Sequence, residues 1–166
     1  MATSHLTRMG RLCLLIALTT LLSSLGVQAQ DCRAEFSAEN QKNIGTADED
    51  GTAFTLFLKN TSSSRSSFTL TATFKDDNCS TAHHPNLGNN VALDVRFLAQ
   101  SSSQIPVQSV ELSPGQSRSI VVDVQVPPGT ALNRWSCISI NAIDMNCGSV
   151  AAEFPLRVYV PDGRDD

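Results

Sequence analysis

From Thr52 onward the chain alternates. Phe54, Leu56 and Leu58 take every second position of Thr52–Lys59, and Phe68, Leu70, Ala72 and Phe74 do so in Ser67–Lys75, with Thr69, Thr71 and Thr73 between them. Val91, Leu93, Val95 and Phe97 repeat the pattern in Asn90–Leu98, and Ile120, Val122, Val124 and Val126 repeat it after the Ser113-Pro114-Gly115-Gln116 turn. Ala152, Phe154, Leu156, Val158 and Val160 carry it to the end of Val150–Val160. Successive side chains of an extended chain leave on opposite faces, so this period makes strands with one apolar and one polar face. Shorter runs at Val107–Leu112 and Trp135–Ala142 bring the strands to seven, separated by turn-forming Pro, Gly, Asn and Ser. No stretch has a helical stripe. The pattern predicts an all-β fold, a single antiparallel seven-strand immunoglobulin-like β-sandwich.

Two strands depart from simple alternation. In Trp135–Ala142 the set Trp135, Cys137, Ser139 competes with Ile138, Ile140, Ala142; a bulge near Cys137 would reconcile them. Pro155 lacks a ladder donor, which places the last strand at an edge or bulges it there. The segment 30–51 is polar, with one short strand expected around Arg33–Ser37 and an acidic turn at Asp48–Gly51 that lacks the spacing of a calcium loop.

Charge and composition then set the address. Residues 1–29 have the layout of a secretory signal: His5, Arg8 and Arg11, an apolar run over Leu12–Leu25, and Val27-Gln28-Ala29 before a cleavage point. The run is short for a membrane span, so no membrane insertion is expected after cleavage. The domain expected is 52–160, preceded by the polar segment and followed by a charged tail, 161–166. All 16 acidic residues remain after cleavage while Arg8 and Arg11 leave, so the mature chain is more acidic than the formal −4 of the whole. That balance argues against nucleic acid as a partner. Cys32, Cys79, Cys137 and Cys147 remain, an even number that fits two disulfides in an oxidising compartment, extracellular or periplasmic.

Phe54–Asn60, Phe68–Thr73, Leu112–Gly115, Ile120–Pro128 and the strand beginning at Trp135 resemble the NEW3-type family of immunoglobulin-like modules of exported proteins. The resemblance covers about Thr52–Val160 and implies a binding module with no catalytic residues. Trp135 stands where that pattern usually has tyrosine, and Arg134 where it has glycine. If successive strands alternate in direction, Cys79 and Cys147 fall at one end of the sandwich and Cys32 and Cys137 at the other. The expected disulfides are Cys79–Cys147 and Cys32–Cys137, with a Cys137–Cys147 bridge across the last hairpin as the alternative.

Groups for chemistry are few. His83 and His84 lie in the polar loop Asp76–Asn89 and, with Asp76 or Asp77, are the candidate metal ligands; adjacent histidines on an extended chain point apart, which weighs against one shared ion. No Gly-x-Ser-x-Gly elbow is present. Asp94, Glu111, Asp123 and Glu153 fall at outward strand positions, where a carboxylate is solvated rather than paired for acid–base work. Asn60 and Asn78 open Asn-x-Ser/Thr sequons and are candidate glycosylation sites. Trp135 and Tyr159 are the single tryptophan and tyrosine; Trp135 is expected between the sheets rather than as a sugar platform. The reading is a secreted, non-catalytic module without cofactor, binding a protein or a surface glycan. The alternative is an exported metal-handling protein using His83 and His84.

Overall fold

The computed structural model describes residues 31–100 and 102–162; the signal expected over 1–29 lies outside them. Among the described residues the fold is all-β apart from a single turn of 3₁₀ helix at Glu39–Gln41. The strands are β1 (Ala34–Ala38), β2 (Ile44–Thr46), β3 (Thr52–Asn60), β4 (Ser66–Lys75), β5 (Asp94–Ala99), β6 (Ser102–Pro106), β7 (Ser109–Leu112), β8 (Ser117–Gln125), β9 (Arg134–Asp144) and β10 (Ser149–Val160). They form two five-stranded sheets, one in the order β1-β3-β8-β5-β6 and the other β2-β10-β9-β4-β7. All pairings are antiparallel except β2 with β10.

The two-sheet β-sandwich is as expected, but it has ten strands rather than seven. β1 takes the place of the short strand expected near Arg33–Ser37. β2 and β6 are additional. Three residues long, β2 has no alternation to read; Ser/Gln-rich β6 is an edge strand held by β5 at Leu98–Pro106 and Ala99–Ser102. The alternating sets land where the pattern puts them. Phe54, Leu56, Leu58, Ile120, Val122 and Val124 from one sheet meet Phe68, Leu70, Ile138, Ile140, Leu156 and Val158 from the other, and all are buried. Burying a side chain of this size contributes about 1.5 to 3 kcal/mol.

The bulge expected near Cys137 is absent. β9 keeps an unbroken register with β10 from Arg134 to Ala142, and the irregularity lies between Val150 and Ala152 on β10. Both phases of β9 are buried because its outer face is covered as well. Ile138, Ile140 and Ala142 point into the core, while Trp135 and Cys137 join Cys79 and Tyr159 in a separate cluster on the other side. Trp135 is 1 % exposed, yet it sits under the loop that follows β4 rather than between the sheets. Pro155 pairs with Ser139 on the β9 side. Its nitrogen has the same orientation as that of Arg157, which donates to Asn43 O, so the missing donor falls on the edge beyond the end of β2.

The disulfides are Cys32–Cys147 and Cys79–Cys137, which corrects both expected bridges, Cys79–Cys147 and Cys32–Cys137, and the alternative. The cause is β6. One unread strand between β5 and β7 inverts the direction of every strand after it. β9 therefore runs antiparallel to β4, with Lys75 opposite Cys137 and Phe68 opposite Asp144. Cys79, just past the end of β4, meets the start of β9. Cys147, just past the end of β9, meets Cys32 beside the end of β3, where Ala34 pairs with Asn60.

Candidate functional site

The long loop 76–93 carries Asp76, Asp77, Asn78, Cys79, His83 and His84, and the structure fixes it against the outer face of β9 and β10. Cys79 is bonded to Cys137 with Cα atoms 5.9 Å apart. The His84 carbonyl accepts hydrogen bonds from Trp135 Nε1 at 2.8 Å and from the Thr81 amide at 3.3 Å. The His84 ring stacks on Tyr159 with centroids 4.4 Å apart, and Tyr159 leans on Trp135 at 5.3 Å. Tyr159 Oη donates to Asn133 Oδ1 at 2.7 Å, and the Val91 amide donates to Trp135 O at 2.9 Å. Asn90 Nδ2 donates to the carbonyls of Lys75 and Asp77. The loop is thus a lid clamped by one covalent bond and a layer of rings.

This arrangement parts the two histidines. His84 is half-buried against Tyr159, while His83 is exposed. Both border an open groove shared with Asn133, Tyr159 and Asp162. Among the described residues the one group of three potential metal ligands is elsewhere: Cys32, Asp144 and Cys147, whose ligand atoms lie within 4.8 Å of one another. There the two sulfurs are bonded to each other, and Asp144, fully buried, accepts from Ser66 Oγ at 2.6 Å and from the Asn146 amide at 2.8 Å. Sequence spacing could not reveal this cluster, because Cys32 reaches it from 115 residues away.

The four carboxylates do not converge. Asp123 pairs with Arg96 at 2.9 Å, Glu111 with Arg65 at 3.2 Å, Glu153 with Lys75, and Asp94 stands exposed at the start of β5. Glu153 also accepts from Ser139 Oγ at 2.6 Å. The Lys75 hydrogen bond, then that of Ser139, hold its carboxyl below the usual range, and the Glu153 hydrogen bond raises Lys75. Because the carboxyl is depressed, the pair's contribution is present above the ordinary glutamate pKa and is lost as pH falls through the lowered one. On the alkaline side it is present below the ordinary lysine pKa and is lost as pH rises through the raised one. Carbon-detected titration is expected to place the Glu153 midpoint below that of an exposed glutamate. Lys75→Met should return most of the shift and Ser139→Ala a smaller part; an unshifted midpoint in the parent would contradict the geometry.

The two sequons part in the same way. Asn78 is exposed, its Oδ1 accepting from Ser80. Asn60 is fully buried, and its Nδ2 donates to Ser64 O and Leu112 O. A glycan on Asn60 would break one of those bonds and has no path to solvent, so the folded chain excludes it there.

The class these features define is a disulfide-stapled β-sandwich domain. No protein-family model matches the chain, and no curated protein does. Solved structures resemble it at the level of the sandwich. A FixG-related protein from Vibrio parahaemolyticus is 12% identical over 68% of this chain and 81% of its own, with a TM-score of 0.42. An ASH/PapD-like domain of human CEP192 is 7% identical over 78% and 84%, with a TM-score of 0.43. A CARDB domain from Pyrococcus furiosus, solved with di-metal ions, is 12% identical over 80% and 96%, with a TM-score of 0.36. Two disulfides fit an oxidising environment, and no helix of the described residues is long and apolar enough to cross a membrane.

Proposed function

We propose that the chain is an exported, non-catalytic immunoglobulin-like module that binds a protein or a surface glycan. The observation that carries this reading is the way its reactive groups are used. Glu111, Asp123 and Glu153, three of the four candidate carboxylates, are each paired with a separate cation, and Asp94 stands apart from them. Both disulfides tie peripheral segments, the N-terminal strand and the loop 76–93, onto a rigid sandwich. A fixed scaffold with pinned loops is suited to presenting a binding surface. The finer kinship with NEW3-type modules rests on the turns and strands at Phe54–Asn60, Leu112–Gly115 and Ile120–Pro128. The test is binding of the mature protein to glycan arrays and to cross-linked extracellular proteins, with metal analysis in parallel. Saturable binding to one partner class is expected. Stoichiometric metal that disappears in the His83→Ala, His84→Ala double variant would overturn the reading in favour of metal handling.

A further inference from the structure

Among the described residues, one side of the sandwich leaves part of a strand edge unpaired. The ladder fixes which peptide groups of β4 face which neighbour. The Met145 amide donates to Ser67 O, so odd-numbered residues of β4 face β9; the Leu70 amide donates to Gln108 O, so even-numbered ones face β7. β7 pairs only with Ser66–Thr69, and Leu70 takes the last bond on that side. The peptide groups of Ala72 and Phe74 therefore point past the end of β7, where no strand lies beside them among the described residues. The opposite sheet has the same gap. The Val107 amide bonds Phe97 O, and β6 pairs with β5 only at Leu98 and Ala99, which leaves Val95 facing the same opening.

Between these two bare edges runs a slot of about 540 Å³. Leu70, Ala72 and Phe74 line it from β4, Val95 and Phe97 from β5, and Leu93 from the end of the loop before β5. Phe74 is 41% exposed although it stands on the core-facing side of its strand. Val107 and Gln108 close one end. The other end is acidic: Asp94 lines it and Asp76 and Asp77 follow β4, all exposed, while Lys75 is taken by Glu153 and Arg96 by Asp123.

Resting on the reading of this chain as a binding module, we propose that an extended segment of a partner protein adds to the edge of β4 and lowers alternate apolar side chains into the slot. The occupant must be a strand. Unpaired N–H and C=O groups on an edge are met by another extended backbone, while the slot takes every second side chain. Antiparallel addition continues the line of β7, so the incoming segment enters at the acidic end. It therefore carries lysine or arginine before its apolar alternation, opposite Asp76, Asp77 and Asp94.

The test uses the mature chain and a panel of fluorescein-labelled peptides, each two lysines followed by threonine alternating with Val, Ile, Leu or Phe. Saturable binding is expected for at least one member. N-methylation at alternate residues should abolish it in one phase and spare it in the other. Amide exchange should slow at Ala72 and Phe74. Ala72→Pro, which removes an edge donor and leaves the β9 side intact, should weaken binding about tenfold or more, and Phe74→Lys serves as a second variant if that one unfolds. No binding in the panel, indifference to the phase of methylation, or protection elsewhere would overturn the proposal. A concentration-dependent dimer abolished by Ala72→Pro would overturn it too, by giving the edge to a second copy. A partner or glycan held on another surface, and indifferent to Ala72→Pro, removes the strand edge but keeps the binding-module reading. Failure of every probe together with the array and cross-linking screens removes both.

Discussion

Replacing Cys79 and Cys137 together by serine is expected to lower stability by about 4 kcal/mol and to expose Trp135. The bridge closes a loop of 58 residues, for which chain entropy alone gives about 4 kcal/mol. Both cysteines are 7% exposed and pack with Trp135 and Tyr159, so the serine hydroxyls add a burial penalty. Cys32–Cys147 closes a loop of 115 residues, yet the logarithm makes that worth only about 0.6 kcal/mol more. If loop entropy decides, the two double variants lose nearly equal stability in urea. If packing decides, the Cys79, Cys137 variant loses more. Trp135 is the only tryptophan, so its emission reports which: it should shift to the red when the lid over it loosens and stay native when Cys32 and Cys147 are replaced. A native emission in both variants would mean that the rings hold the lid without the bridge.

The second large effect is expected at Asn60, where the alanine variant should lose about 2 to 4 kcal/mol. Its side chain joins the sheets. Nδ2 donates to Leu112 O at 3.0 Å, across from β3 to β7, and to Ser64 O at 2.8 Å. Oδ1 accepts from the Ser62 amide at 2.9 Å and from Ser62 Oγ at 2.7 Å. Its backbone holds the next turn, accepting from the Gly115 amide and donating to Gln116 O. Alanine leaves the buried Ser62 amide without its acceptor and removes the Nδ2 donor from Leu112 O and Ser64 O, while the Ser62 hydroxyl keeps Ser64 O as its acceptor; unmet groups cost more than a lost bond. Asn60→Asp is expected to be worse than alanine at neutral pH, because a buried carboxylate then faces two carbonyls. That environment raises its folded pKa, so the aspartate variant should regain stability as pH falls toward about 4. Denaturation midpoints at both pH values check this. An aspartate variant insensitive to pH would show that the site admits water.

Asn60 also shows where reading the sequence stops. As Asn-Thr-Ser it matches a glycosylation sequon, and nothing local distinguishes a modified surface asparagine from a buried clamp. Leu112 O, the partner that decides, is 52 residues away. Trp135 repeats the lesson. Its burial was legible, because a lone large ring among strands is usually covered. The covering element was not, because the loop 76–93 has no periodicity and is placed by Cys79 and His84. Neither histidine's ring could be placed from composition, and Cys32, Asp144 and Cys147 meet only after the chain has folded.

What the sequence alone determined is local. Which side chains of β3, β4, β8 and β10 face inward follows from alternation at period two, and the tight turn at Ser113–Gln116 follows from proline and glycine. The two disulfides, the lid over Trp135 and the bare edge of β4 were decided by the tertiary structure. They depend on how many times the chain reverses between distant segments, and the reversal through β6 is made by a polar edge strand with no apolar face to announce it. Miss that strand, and every later direction, with every pairing that depends on it, is inverted.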